Sequence, residues 1–159
     1  MRKFLPIAAL FFVLPPVACG GRNLKEYPET MSASAEFKGA KFSSYRPSVG
    51  DSLQESLAPS VVENLGALKD DSEFLKSNPS FRVEIVGFTD DRECIAQDCD
   101  ALSLRRAKIV YDWFLSQGVM THSLKPPEGL GNRMAIGDNN TEEGRQRNRR
   151  VEVNLIVED

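Results

Sequence analysis

Two short clusters carry residue types able to hold a charged ligand, Thr89-Asp90-Asp91 and Arg105-Arg106. The first follows directly on Phe81 to Phe88, an alternating apolar run that reads as a strand. In sheets built with helical crossovers, ligand sites form outside the carboxyl ends of strands. The two arginines follow Ser103, which reads as a helix N-cap, so they fall in the first turn of that helix. A helix amino terminus is already partly positive, and an arginine there costs about a few tenths of a kcal/mol. A cation placed at such a cost suits an anionic partner. An acid facing an arginine backed by helix N–H groups would take a zwitterionic amino-acid head group, with the ammonium on the carboxylate and the ligand carboxylate in the guanidinium fork. The plain alternative is internal pairing, Arg106 with Asp90, Asp91 or Asp98, which would simply close the loop.

Other chemistry finds little support. Glu142-Glu143 reads as a solvated charge pair, and His122 as a surface residue in a turn. Ser103 has no histidine near it in sequence to activate it as a nucleophile. Trp113 lies on a helical stripe and reads as core edge. There is no phosphate loop and no metal-ligand cluster in the sequence, and no cofactor is expected. Of the three cysteines, Cys94 and Cys99 are separated by four residues in a polar loop. A C-x-x-C redox spacing is absent and the single histidine is distant, so the pair reads as a structural disulfide clip in an exported protein. Such a small loop is worth about 2 kcal/mol in the chain-entropy account.

Two helices and the strands between them must position these groups. Phe37 to Tyr45 is a weakly alternating first strand. Ser52-x-x-Glu55 has the form of a capping box, and Pro59 places the start of a main helix near Ala58, since proline fits only a first turn. Val61, Val62, Leu65, Leu68 and Leu75 form its apolar stripe, and Asn78-Pro79 ends it. Phe81 to Phe88 is the best strand, and residues 89–101 form a polar loop. The helix capped by Ser103 buries Ala107, Val110, Tyr111, Phe114 and Leu115, and Gly118 stops it. Leu124 to Leu130, broken by Pro126-Pro127, is an edge fragment. Gly137 to Gly144 is a polar loop, and Arg150 to Val157 is a final alternating strand. The β-α-β-α-β-β order predicts an α+β fold, a two-layer sandwich with helices on one face of a mixed sheet.

The chain of 159 residues is 41% hydrophobic, which suits one domain with a leader and a tail. Arg2 and Lys3 precede an apolar run, Phe4 to Val13, that is too short to span a bilayer. Residues 1–18 therefore read as a signal peptide. Ala18-Cys19-Gly20 resembles the core of a bacterial lipobox, which would acylate Cys19, although Pro16 stands where leucine is usual. An ordinary secretory cut nearby is the other reading. Residues 19–35 are polar, with Gly, Pro and Ser, and read as a flexible tether; residues 36–159 form the folded domain. The formal net charge of −3 and a pI near 5.3 argue against nucleic acid as a partner.

Four segments then resemble the OmpA-like peptidoglycan-binding domain. They are Val86-Gly87-Phe88-Thr89-Asp90, Leu102-Ser103-Leu104-Arg105-Arg106-Ala107, Gly129-Leu130-Gly131 and Gly144-Arg145-Gln146-Arg147-Asn148-Arg149-Arg150-Val151-Glu152. The resemblance runs in register over about residues 37–157. It implies non-covalent binding of peptidoglycan through the diaminopimelate of the stem peptide, without catalysis. Asp90 would hold the ammonium, Arg106 the carboxylate, Thr89 and Leu102 would line the pocket, and Asn148 and Arg149 would support it. With lipid on Cys19 it implies an anchor between the outer membrane and the cell wall, on the periplasmic face. An accessory subunit of a larger envelope complex, with envelope protein partners, or a wall hydrolase, are the alternatives. The chain departs from the family pattern at Phe42-Ser43, where Phe-Asp is frequent, in a long stretch from Tyr45 to Ser56, in its cysteine-bearing loop, and in Asn132-Arg133-Met134 after Gly131.

Overall fold

The computed structural model describes residues 37–96 and 98–156. The expectations for the signal peptide, the tether, Cys19 and Val157 lie outside these residues. The described chain runs β1 (Ala40–Lys41), α1 (Leu53–Ser56), α2 (Val61–Ser77), β2 (Val83–Gly87), α3 (Asp91–Ala96), α4 (Cys99–Ser116), a 3-10 turn (Thr121–Ser123), β3 (Glu128–Gly129), α5 (Glu142–Asn148) and β4 (Arg150–Leu155).

The four strands form one mixed sheet in the order β1-β4-β2-β3. β4 is antiparallel to both β1 and β2, with Ala40 opposite Val151 and Ile85 opposite Val153. β3 runs parallel to β2, as a strand reached through the α4 crossover can. Alternation along β2 and β4 sends Val83, Ile85, Val151 and Val153 into a core completed by Leu68 and Leu75 of α2 and Val110 and Phe114 of α4. This is the expected α+β fold, a mixed sheet with helices packed against it. Gly87 lets α4 press onto the sheet, since a Cβ there would run into the Ser103 carbonyl oxygen.

Several local expectations are corrected. The first strand is only two residues long, and Phe42 continues it as a single bridge to Leu57. The capping box at Ser52 and Glu55 is present, but it starts the four-residue α1. α2 begins at Val61 behind the N-cap Ser60, and Pro59 lies outside it after a cis bond. The buried face of α2 is Asn64, Leu68, Asp71, Ser72 and Leu75, while Val62 is 82% exposed. The apolar stripe misled because β1 is held by polar groups. Asn64 Oδ1 accepts the Lys41 amide at 2.7 Å, and Asp71 accepts the amides of Lys38 and Gly39. Burial raises the Asp71 carboxyl above its ordinary value, and the two amides offset part of that rise.

The second helix also starts earlier than expected. Asp98 caps α4 through the amides of Asp100 and Ala101, so α4 begins at Cys99. Ser103 lies a full turn inside, where its hydroxyl donates to the Asp100 carbonyl and accepts the Gly131 amide at 2.9 Å. Arg105 and Arg106 therefore stand in the second turn, and the electrostatic cost expected at a helix start does not apply to them. Residues 91–96 form α3 where a polar loop was expected, and α5 starts at the end of the second expected polar loop and runs on to Asn148. The stripe of Ala107, Val110 and Phe114 and the stop at Gly118, with φ of 86°, are as expected.

Candidate functional site

Thr89 and Asp90 follow β2 as the sequence required, and both are buried. Asp90 also caps α3. Its Oδ1 accepts the Glu93 amide at 2.9 Å, and the Glu93 carboxylate accepts the Asp90 amide at 3.2 Å. This reciprocal arrangement is a capping box with Asp at the cap. The other oxygen of Asp90 receives Arg149 Nη1 at 2.7 Å, with both side chains almost wholly enclosed.

Arg106 is 0% exposed and spends every donor. Nη1 and Nη2 grip the Glu93 carboxylate at 2.8 and 2.6 Å, a two-pronged pair. The remaining bonds go to the carbonyls of Phe88, Ser43 and Arg46. The guanidinium also lies over the Phe42 ring at 5.4 Å. Burial pulls its pKa down, and the Glu93 carboxylate counters that. Glu93 is itself saturated, since its Oε1 also accepts the Tyr45 amide at 2.6 Å. The internal partner of Arg106 is thus Glu93, a residue absent from the expected pairings with Asp90, Asp91 or Asp98.

Arg149 bridges the two ends of the site. Besides Asp90 it meets Glu142 Oε1 and Gln146 Oε1, each at 2.7 Å, and Phe42 carbonyl at 3.3 Å. Burial lowers the pKa of Arg149, but its bonds to Asp90 and Glu142 outweigh this and raise it. Glu142 is held below its ordinary value by Arg149 and then by Arg145. Glu142 and Glu143 are both exposed, as a solvated charge pair should be, and Glu142 is in addition ion-paired with Arg145 and Arg149. Asn148 is fully buried and pins the preceding loop, accepting the amides of Ile136 and Gly137 and donating to Gly137 and Asn139.

Five of the expected site residues, Thr89, Asp90, Leu102, Arg106 and Arg149, are enclosed where β2, α3, α4 and the start of β4 meet; Asn148 is buried at the end of α5. Asp90 and Arg149 touch. Asp90 and Arg106 share no hydrogen bond among the described residues, and Glu93 links them by bonding to both. Sequence reasoning missed Glu93. The signal available was its place three residues after Asp90, the capping-box spacing. Cys94 and Cys99 form a disulfide with Cα atoms 4.7 Å apart, tying α3 to the first residue of α4. Among the described residues no cluster of ligating side chains could hold a metal ion, and no helix is long and apolar enough to cross a membrane.

Comparison with known proteins places this geometry. The fold matches the peptidoglycan-associated lipoprotein from Burkholderia pseudomallei, at TM-score 0.57 and 21% identity over 75% of this chain and 91% of that one. It also matches the C-terminal domain of Helicobacter pylori MotB, at TM-score 0.61 and 18% identity over 77% of this chain and 87% of that one. In sequence, the peptidoglycan-binding protein ArfA of Mycobacterium tuberculosis is 40% identical over 98 residues, 62% of this chain and 28% of ArfA. The probable lipoprotein YiaD of Escherichia coli is 33% identical over 66% of this chain and 46% of YiaD. The chain thus spans less than half the length of either relative. The OmpA family model matches residues 63–149, which take in α2 through the Asp90–Arg149 pair, and the chain belongs to the OmpA family.

Proposed function

We propose that this protein binds peptidoglycan of the cell envelope non-covalently, through the diaminopimelate of the stem peptide, and performs no catalysis on it. The observation that carries this reading is the Asp90 carboxylate, fixed behind β2 by Arg149 inside a family match running from residue 63 to 149. ArfA, a peptidoglycan-binding protein by name, supports the ligand class. Asp90 would take the side-chain ammonium of diaminopimelate and Arg106 the carboxylate. Thr89 and Leu102 would form the wall of the site, with Asn148 and Arg149 holding Asp90 and its loop in place. Exchange of one carboxylate for another on Arg106 keeps its buried charge compensated, which favours a zwitterion over a neutral sugar.

If Cys19 is acylated, the same chain ties the outer membrane to the wall from the periplasmic face, with the stretch 19–35 as spacer. Many copies acting on one polymer then need only modest affinity each. The likeness to YiaD, a probable lipoprotein, supports that arrangement. A wall-binding subunit of a larger envelope complex is the second reading, supported by the fold shared with MotB. The test is co-sedimentation of the purified protein with isolated sacculi, with Asp90→Asn beside wild type. The wild type is expected in the pellet and Asp90→Asn largely in the supernatant; equal pelleting would sink the assignment of Asp90. Intact mass of protein taken from membranes reports the lipid, and crosslinked co-purification reports stable partners.

A further inference from the structure

We propose that Glu93 is a built-in competitor for the ligand carboxylate, so that the site rests closed and opens only when Glu93 is displaced from Arg106. The proposal rests on the peptidoglycan reading above and adds to it a specificity-determining residue and a gate. The Glu93 carboxylate sits in the fork of Arg106 at 2.6 and 2.8 Å, the geometry a ligand carboxylate would need. Arg106 has no donor to spare, because its other bonds go to Phe88, Ser43 and Arg46 carbonyls. A ligand acid can therefore reach it only by exchange with Glu93.

The same exchange would free the other half of the site. Asp90 Oδ1 is occupied by the Glu93 amide, and Oδ2 by Arg149. Because that donor is a backbone amide, a movement of α3 that carries away both the amide and the carboxylate of Glu93 is needed; it releases Asp90 Oδ1 for an ammonium as it releases Arg106 for a carboxylate. One displacement thus exposes both complementary charges, and a zwitterion meets both. A simple carboxylic acid gains only the first, and an amine only the second.

α3 is suited to such a movement. Of its described side chains only Glu93 is fully buried, and Ile95 is 86% exposed, so little apolar area holds this helix down. Asp91 Oδ1 is buried with no hydrogen-bond partner among the described residues, a cost of the closed arrangement. The disulfide from Cys94 to Cys99 keeps α3 tethered to α4, so displaced Glu93 stays near and re-closes the site when the ligand leaves.

The test measures binding of a diaminopimelate-containing muropeptide to full-length wild type, Glu93→Gln and Asp90→Asn, with circular dichroism as the check on folding. Glutamine keeps the shape but gives up the charge that holds Arg106, so a larger open fraction and roughly tenfold tighter binding are expected. A folded Glu93→Gln that binds no tighter than wild type overturns the gate. If wild type and Glu93→Gln both fail to bind, the peptidoglycan reading itself falls. A second measurement needs no variant. The Tyr45 amide bonds to Glu93 Oε1, so hydrogen exchange at Tyr45 should accelerate in wild type when muropeptide is added. Slower or unchanged exchange at Tyr45 with ligand bound also overturns the gate.

Discussion

Asp90 and Arg149, 59 residues apart in sequence, meet at 2.7 Å with both side chains buried. The pair joins the segment after β2 to the residue just before β4, so Asp90, three residues beyond one central strand, is locked to Arg149, which immediately precedes its neighbour. A hydrogen bond from Phe88 to the Arg150 carbonyl runs alongside it. Because the pair lies out of solvent, each partner depends on the other for its charge to be tolerated.

Replacing Arg149 by methionine should therefore destabilise the fold by about 3–5 kcal/mol, because it leaves Asp90 buried and uncompensated. Urea denaturation followed by circular dichroism gives the number. The double variant with Asp90→Asn should recover part of the loss. Additive losses would show that the pair contributes little.

Glu142 makes a pH-dependent contribution. Arg149, and then Arg145, hold its folded pKa below the ordinary value of 4.5, so it stabilises the fold above that pH. The contribution should be lost as pH falls from about 4.5 through the folded pKa. Its side chain is 64% exposed, so solvent screening limits the effect to under about 1 kcal/mol. Thermal melts of Glu142→Gln should show a slightly lower midpoint at pH 7 and a flatter acid limb than wild type.

The disulfide should matter more for α3 than for the domain. Paired Cys94→Ser and Cys99→Ser substitutions are expected to cost about 2 kcal/mol or less in global stability, the loop being small. Amide exchange within Asp91–Ala96 should quicken, while β2 and β4 stay protected. Loss of protection in β2 would show that the bridge supports the core.

Gly87→Ala should cost about 3 kcal/mol or more. The added methyl would meet the Ser103 carbonyl and the Ala107 amide, both backbone atoms of α4 that no rotamer change can move. Gly66→Ala, on the exposed face of α2, meets nothing within 4 Å and should be neutral to slightly stabilising, which makes it a control in the same denaturation series.

Much of the frame was legible from local pattern. The alternation of Val83 to Gly87 and Arg150 to Leu155, the stripe of Ala107, Val110 and Phe114, and the stop at Gly118 are set by nearest neighbours along the chain, and each appears as expected. Position after β2 singled out the Thr89-Asp90-Asp91 cluster, and the family resemblance picked Asp90 within it. The exceptions share one cause. Asn64 and Asp71 are buried because β1, more than twenty residues away, needs acceptors for its amides. Val62 is exposed because the axis of α2 is set by those bonds and by Leu68 and Leu75. Asp98 capped α4 a turn before Ser103, which moved Arg106 away from the helix start. The sequence by itself determined the two central strands, the existence of the two long helices and which charges stand near the ends of β2 and β4. Only the tertiary structure decided that Arg106 pairs with Glu93 and Asp90 with Arg149. Charge is not periodic, and in a closed interior a guanidinium takes whichever carboxylate the packing of distant elements brings within reach.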